Sequence, residues 1–430
     1  MSLERSKVSE TPRNTVKLPS NVRWRVIFLI FLSTFICYMD RVNISVATPK
    51  IMEEFGWNTA QWGIILSAFF VGYAILQIPA GWLSDKYGGV KTLAFGTGWW
   101  SLFTIATAWA RTIPTMAVVR ALLGAGEAVN FPSHTAVTSR WIPVQERGRA
   151  QALNLSGMAF GTAFTIPVVA WIVKSFGWRW AFYSFGVVGF IWCIIWLWYV
   201  KDDPRQHPGV SPEELDYIRA GEREERLTNI DWNRILRSGP VWGLTVNYFF
   251  QNYCWYLYLT WLPGYLVMAR HFDLMKTGIY AMLPYIGSFI AMNFGGWVCD
   301  KLAPVVGLTK SRKYVMYSAF AGCAVFLYFA ARAQSPYTAV ILITLSVFFL
   351  SLNYAPFWAL PIDLGPRSAG VISGIMNTSG TLAGIIAPGL TGWIVQASGS
   401  WVYALTVAVV MALLGIIVCA VGVSAERVTD

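Results

Sequence analysis

The stretch "GWLSDKYGGVK" at 81–91 closes one long apolar run, and "GWVCDK" at 296–301 closes another. The two openings lie 215 residues apart in a chain of 430, half its length. A second pair follows the same spacing logic. "RGRAQALNLSGMAFGTAFTIPVVAWIVKSFG" (147–177) and "RSAGVISGIMNTSGTLAGIIAPGLTGWIVQASG" (367–399) both begin with Arg, pass through Ser-Gly, set a Pro before Trp-Ile-Val and end in Gly. Features recurring in this order mark an internal duplication, in which each GW..DK closes the second helix of its half.

Composition says where such helices belong. The chain is 56% hydrophobic and 13% charged, against about 25% charged in soluble domains. About 20 apolar residues at 1.5 Å each cross a hydrocarbon core of about 30 Å. Twelve runs qualify: 25–48, 60–82, 91–110, 114–138, 148–173, 178–200, 240–268, 277–299, 313–332, 336–360, 369–396 and 400–423. The expected fold is an all-α integral membrane protein with twelve transmembrane helices in two pseudo-symmetric six-helix halves. Its divisions are a polar tail (1–22) without a signal-peptide core, a first half (23–200), a linker (201–239), a second half (240–424) and a short tail (425–430). In the linker, "SPEEL" (211–215) reads as a capping box, Ser211 with Glu214, opening a helix from Pro212 to about Arg226. Parallel six-span repeats place a cavity between the halves, at an axis along the membrane normal, and suit alternating access by rocking.

The net charge of +11 does not mean nucleic acid. With the N-terminus in the cytoplasm, inner segments hold 24 of the 33 Lys and Arg, outer loops hold 7, and two lie inside the membrane. That is the positive-inside asymmetry, with both termini cytoplasmic. It points to a bilayer, anionic lipid and a bacterial inner membrane. The six cysteines fall in or at the ends of apolar spans, with no CxxC pair and no Cys/His cluster, so neither disulfide nor metal site is expected. His134 follows Glu127 by seven residues and reads as structural rather than as a ligand.

An ionisable side chain at the bilayer centre costs at least about 2.5–3.5 kcal/mol, which makes it a functional candidate. The first half has four: Asp40 and Arg41 on its first span, Arg120 and Glu127 on its fourth. Helical rise sets Asp40 and Arg120 at similar depth, where they can pair. Arg120 and Glu127 share a face, with Glu127 about 10 Å deeper. Burial disfavours a charged carboxylate and a neighbouring Arg favours it, so a balanced carboxylate can take up and release a proton. The plainer alternative is two salt bridges pinning helices together, although apolar packing does that with less desolvation. The second half offers amides and aromatics instead: Tyr248, Gln251, Asn252, Trp255 and Tyr256; Asn353, Tyr354 and Trp358; and Asn377, Thr378 and Ser379.

On "GWLSDKYGGVK" the chain resembles the major facilitator superfamily, whose signature between the second and third helices matches Gly81, Asp85, Lys86, Gly88 and Lys91. In that resemblance Gly81 lets helices approach and Asp85 pairs with bases on a neighbouring helix, forming a conformational latch. "CYMDRVNISVA" (37–47), "QIPAGWLSDKYG" (77–88), "RALLGAGEAVNFPS" (120–133) and "SPEELDYI" (211–218) are similar to the anion:cation symporter family, which includes bacterial carriers of galactonate and related sugar acids. The resemblance implies a small organic anion taken up with protons as the coupling ion and no cofactor, by a monomer. It assigns Asp40 and Glu127 to proton coupling, Arg120 as the partner of Asp40, and Arg41 as the anion contact. Tyr73, Gln77, Trp358 and Asn377 match substrate positions, and Gln251 joins them from its helix face. Ala355, Pro356 and Phe357 before the Trp, and Met158 where a glutamine stands in sugar-acid carriers, strip hydrogen-bonding capacity and leave room for a less hydroxylated or aromatic acid. Uniport, sodium symport and anion exchange are the rival couplings. A non-transporting sensor is the rival class, and no nucleophile–base pair suggests an enzyme.

Overall fold

The computed structural model describes residues 20–219, 232–365 and 368–428, without the side chains at 78, 85, 144, 145, 148, 152 and 370. The Asp85 side chain, Arg367 and the far end of the expected linker helix lie outside the described residues.

The first half runs α1 (Val22–Phe55), α2 (Thr59–Tyr87), α3 (Gly89–Thr107), α4 (Ile113–Glu127), α5 (Asn130–Trp141), α6 (Val144–Phe176) and α7 (Trp178–Tyr199). The linker carries α8 (Pro212–Arg219) and α9 (Trp232–Leu236). The second half runs α10 (Gly239–Met268), α11 (Leu274–Val306), α12 (Leu308–Arg332), α13 (Pro336–Ser351), α14 (Tyr354–Leu364), α15 (Ala369–Ser398) and α16 (Trp401–Gly422). These make twelve spans, the fourth and tenth each broken in two. Among the described residues eight stretches are long and apolar enough to cross a membrane on composition alone. The spans that fall short are α3, α4–α5, α10 and α11. In α10, polar Asn247, Gln251 and Asn252 are buried inside the protein rather than turned to lipid.

Proline makes both breaks. Pro132 is the third residue of α5, and its ring conflicts with the carbonyl four residues back, at Ala128, between α4 and α5. Pro356 is the third residue of α14 and does the same at Leu352, between α13 and α14. Glycine makes the sharp turns after each GW..DK run. Gly88 and Gly307, at φ 92° and 86°, join α2 to α3 and α11 to α12, a conformation side chains resist.

The halves meet on the face opposite the linker. There the Ser45 hydroxyl donates to the Leu259 carbonyl at 2.9 Å. Along α2 and α15, Gly63 lies against Pro388 and Gly389, Phe70 against Gly384, and Thr59 against Gly392. Gly278 of α11 packs against Pro167 and Ala170 of α6. At mid-membrane Thr381 donates to Gln77 at 3.2 Å. Closer to the linker the same two helices part, and a Cβ on Gly81 or on Gly374 would meet nothing within 4 Å. The molecule is closed on the far face and open towards the linker.

The linker is stitched to the first half. The Glu214 backbone N–H donates to Ser211, half of the expected capping box. Its carboxylate instead leaves α8 and accepts from the backbone N–H groups of Val22 and Arg23 at 3.1 and 3.2 Å, capping α1. Arg23 pairs with Glu214 at 2.9 Å and with Glu146 of α6 at 2.8 Å. Burial pushes the Glu214 acid up, but the Ser20 hydroxyl, the Arg23 guanidinium and those two N–H groups win and hold it below the usual carboxylate range.

Candidate functional site

Arg41, midway along α1, reaches Glu127 at the last residue of α4. Its Nε lies 2.7 Å from Glu127 Oε2, in an ion pair almost wholly out of solvent. The Cys37 thiol, one turn earlier on α1, donates to the same oxygen at 3.0 Å. Gly72 and Gly124 bring α2 and α4 close enough that a Cβ at either would strike the other helix's backbone, which carries Phe69 between two cations. The Arg41 and Arg120 guanidinium carbons each sit 5.1 Å from its ring centre. Tyr38 and Tyr73 complete an aromatic collar at 5.0 and 5.1 Å from Arg41. Ring quadrupoles stabilise a desolvated guanidinium by about 2 kcal/mol or more, which helps explain how two arginines share this depth.

Asp40 and Arg120 do not form the expected ion pair. Both are buried, yet both Asp40 oxygens, and Arg120 Nε and Nη1, have no hydrogen-bond partner among the described residues. Asp40 lies beside Trp100 and Thr104. Adjacent residues on a helix point about 100° apart, so once Arg41 turns to α4, Asp40 turns to α3. The pairing is Arg41 with Glu127.

Arg41, Tyr38 and Tyr73 form one wall of a cavity of about 130 Å³ between the halves. Phe131 and Thr135 of α5 and Gln151, Leu155 and Met158 of α6 add to that side. Tyr248, Asn252, Trp255 and Tyr256 of α10, Tyr354 and Trp358 of α14, and Asn377 and Thr381 of α15 form the other. Arg41, Tyr73, Trp358 and Asn377 thus all line this cavity. Gln77 meets the wall through Thr381. Gln251 does not line the cavity. Its amide donates to the Leu350 carbonyl at 3.2 Å and its oxygen accepts from Asn353 at 3.0 Å, tying α10 to the α13–α14 break. Asn252, one residue on, takes the place in the wall. Of the residues stripped of polarity, Met158 lines the cavity, whereas Phe357 packs its ring 5.0 Å from that of Tyr248.

At the signature, Lys86 stacks on Trp82 and Tyr87 at 4.5 and 5.2 Å, and Lys91 is exposed. Gly88 abuts the Asp202 carboxylate, which accepts from the Val90 N–H at 3.0 Å and lies 3.5 Å from Arg140. Sequence reading missed Asp202 and Arg140, because they join the motif from two other segments of the chain.

A duplicated twelve-helix bundle around a central cavity fits the family match, which covers residues 30–388 under the description Major Facilitator Superfamily. The chain belongs to the major facilitator superfamily. This superfamily member is a membrane transporter, not an enzyme. It is 37% identical over 412 residues, 95% of the chain and 76% of the relative, to the chloroplastic ascorbate transporter of Arabidopsis thaliana. It is 37% identical over 398 residues, 92% of each, to the "Probable sulfoacetate transporter SauU" of Cupriavidus necator. Among solved structures, a bacterial homologue of the human lysosomal transporter Spinster, inward-facing and unoccupied, superposes with a TM-score of 0.77 at 16% identity, over 93% of this chain and 96% of that one. That likeness speaks for the fold.

Proposed function

We propose that this facilitator takes up a small organic anion by proton symport, with Arg41 as the shared element of coupling. The observation that carries the reading is that Arg41 faces the substrate cavity while ion-paired to Glu127, which has no place in the cavity wall. An Arg held by a carboxylate is a poor receptor for another. Protonating Glu127 removes its hold, and Arg41 then offers its fork to the substrate anion. Proton and anion bind together on the far side. When both leave on the linker side, the Arg41–Glu127 pair re-forms, which is the arrangement seen with the linker face open. Asp40, buried and unpaired beside Arg120, is the second proton site.

One cation among eight aromatic rings, with Asn252 and Asn377 opposite, suits a small anion with one strong charge and a flat or lightly hydroxylated body. The names of the ascorbate and sulfoacetate relatives support an anion. The Lys/Arg asymmetry makes the linker face cytoplasmic and suits a bacterial inner membrane.

The test is proton flux in proteoliposomes of the purified protein, challenged with sugar acids, aromatic acids, sulfonates and dicarboxylates. External alkalinisation with one class, lost in Glu127→Gln, supports symport. Substrate entry with no proton signal would assign the buried carboxylates to structure and refute the reading.

A further inference from the structure

A second cavity, of about 550 Å³, opens on the linker face of the second half and shares no residue with the one between the halves. Two segments wall it. Asn233, Arg234, Arg237 and Ser238 lead from α9 into α10, and Arg427 and Val428 follow α16. Half of these residues are arginines and none is acidic. Arg237 and Arg427 are exposed and form no ion pair among the described residues, whereas Arg234 has a further contact of its own.

Backbone bonds hold both walls. The Ser238 side chain accepts from the Val241 N–H at 3.4 Å and starts α10, and Ile235, between the arginines of α9, is buried. On the other wall the Ala425 N–H donates to Thr309 of α12 at 3.1 Å, and the Val428 N–H to the Leu364 carbonyl of α14 at 2.7 Å. Arg427 stands between these two bonds, so its backbone is fixed at the rim.

The cavity also sits at the edge of the bilayer. Trp232, Leu236 and Trp242 are exposed in the segment that forms its first wall. The Trp242 indole N–H donates to the Leu236 carbonyl at 2.7 Å, which ties α9 to the first turn of α10. Exposed tryptophans of this kind gather at the membrane–water interface. Just inward, α10 and α16 touch so closely that a Cβ on Gly243 would strike the Gly422 carbonyl. Guanidinium groups over a hollow, bordered by exposed indoles where two spans begin, suit an anion that carries apolar chains.

We infer that this cavity binds the phosphodiester headgroup of an anionic phospholipid, with Arg237 and Arg427 on the phosphate and the acyl chains against Trp242 and the spans below it. The guanidinium fork matches phosphate oxygens, and basic pockets at the cytoplasmic ends of membrane helices take anionic headgroups. A free phosphate would meet the same arginines but gain nothing from the exposed rings. A bound headgroup fastens the linker to the second half through α9, as Glu214 fastens it to the first through α1.

The experiment titrates the purified full chain in detergent with phosphatidylglycerol, phosphatidylcholine or inorganic phosphate, reading thermal melting and the lipid retained in native mass spectrometry. Arg237→Gln with Arg427→Gln is compared with Arg25→Gln plus Lys310→Gln, which removes the same charge from exposed positions outside the cavity. Phosphatidylglycerol alone should be retained and raise the melting temperature. The cavity pair should weaken its binding at least about tenfold, in keeping with two lost contacts to an anionic headgroup, and the outside pair should leave it unchanged. Equal weakening in both pairs would reduce the effect to net charge. Equal stabilisation by inorganic phosphate would make this a free-anion site, and no preference over phosphatidylcholine would leave no lipid site; each of these overturns the assignment. If the Gln pair melts early without lipid, Arg237→Lys with Arg427→Lys, which keeps the charge and loses the fork, decides between the same outcomes.

Discussion

The two halves share a backbone and divide the chemistry. Each breaks its fourth helix over a Pro three residues into the next segment. The first half then places Glu127 before the break and His134 after it, with Asp40, Arg41 and Arg120 around them. The second half places Ser351 and Trp358 at the matching positions and pins the break with an uncharged pair, Gln251 and Asn353. A duplicated frame can thus carry ionisable groups in one copy and a largely aromatic pocket wall in the other. In the proposed mechanism this separation keeps charge changes away from the groups that would face the substrate's body. Arg41 alone belongs to both.

That division can be broken at its strongest point first. Arg41→Ala leaves the buried Glu127 without its cation, a loss of about 3–5 kcal/mol. Substrate binding should vanish and thermal stability fall, whereas Arg41→Lys should recover folding but not affinity, as read by melting and labelled-substrate binding. A cysteine pair at Gly81 and Gly374 tests the rocking motion. The α2–α15 contacts step from Gly63–Pro388 through Phe70–Gly384 to Gln77–Thr381, so closing the linker face brings these two open glycines together. Cross-linking should stop transport and a reductant should restore it. If the link forms freely without slowing transport, the linker face does not close along this seam.

In the second half, Trp358→Ala should raise KM about tenfold, or about 1.4 kcal/mol, and leave proton coupling intact. Gln251→Ala should behave otherwise, lowering stability by about 1–3 kcal/mol through the unsatisfied Leu350 and Asn353 groups with KM unchanged. A raised KM would return Gln251 to the pocket. A further effect, on stability alone, is expected at the linker. A carboxylate held below its ordinary value of 4.5 stabilises the fold above that value and loses the contribution as pH falls through its folded value. Glu214→Gln should therefore melt lower at neutral pH, by about 1.5–3 kcal/mol for charge-assisted bonds, and the gap should close in acid.

The duplication, the spans and the four buried charges were legible because each is local: an apolar run, a repeated hexapeptide, a charge where lipid forbids one. Partner choice was not. Depth along two helices matched Asp40 with Arg120, but rotation about the α1 axis decides the pair and gives Glu127 to Arg41. Rotation also separates Gln251 from Asn252, neighbours that face a helix break and the cavity respectively. "SPEEL" reads as a closed local box, yet Glu214 caps a helix some 190 residues earlier in the chain. Periodicity reports which residues share a face, and tertiary packing decides what that face meets.

The proton-to-substrate ratio, measured in parallel for Glu127→Gln and Trp358→Ala proteoliposomes, tests the division of labour most directly. The account predicts that Trp358→Ala keeps the wild-type ratio at a reduced rate, and that Glu127→Gln exchanges substrate with no proton flux. A ratio altered in Trp358→Ala, or one that persists in Glu127→Gln, would contradict it.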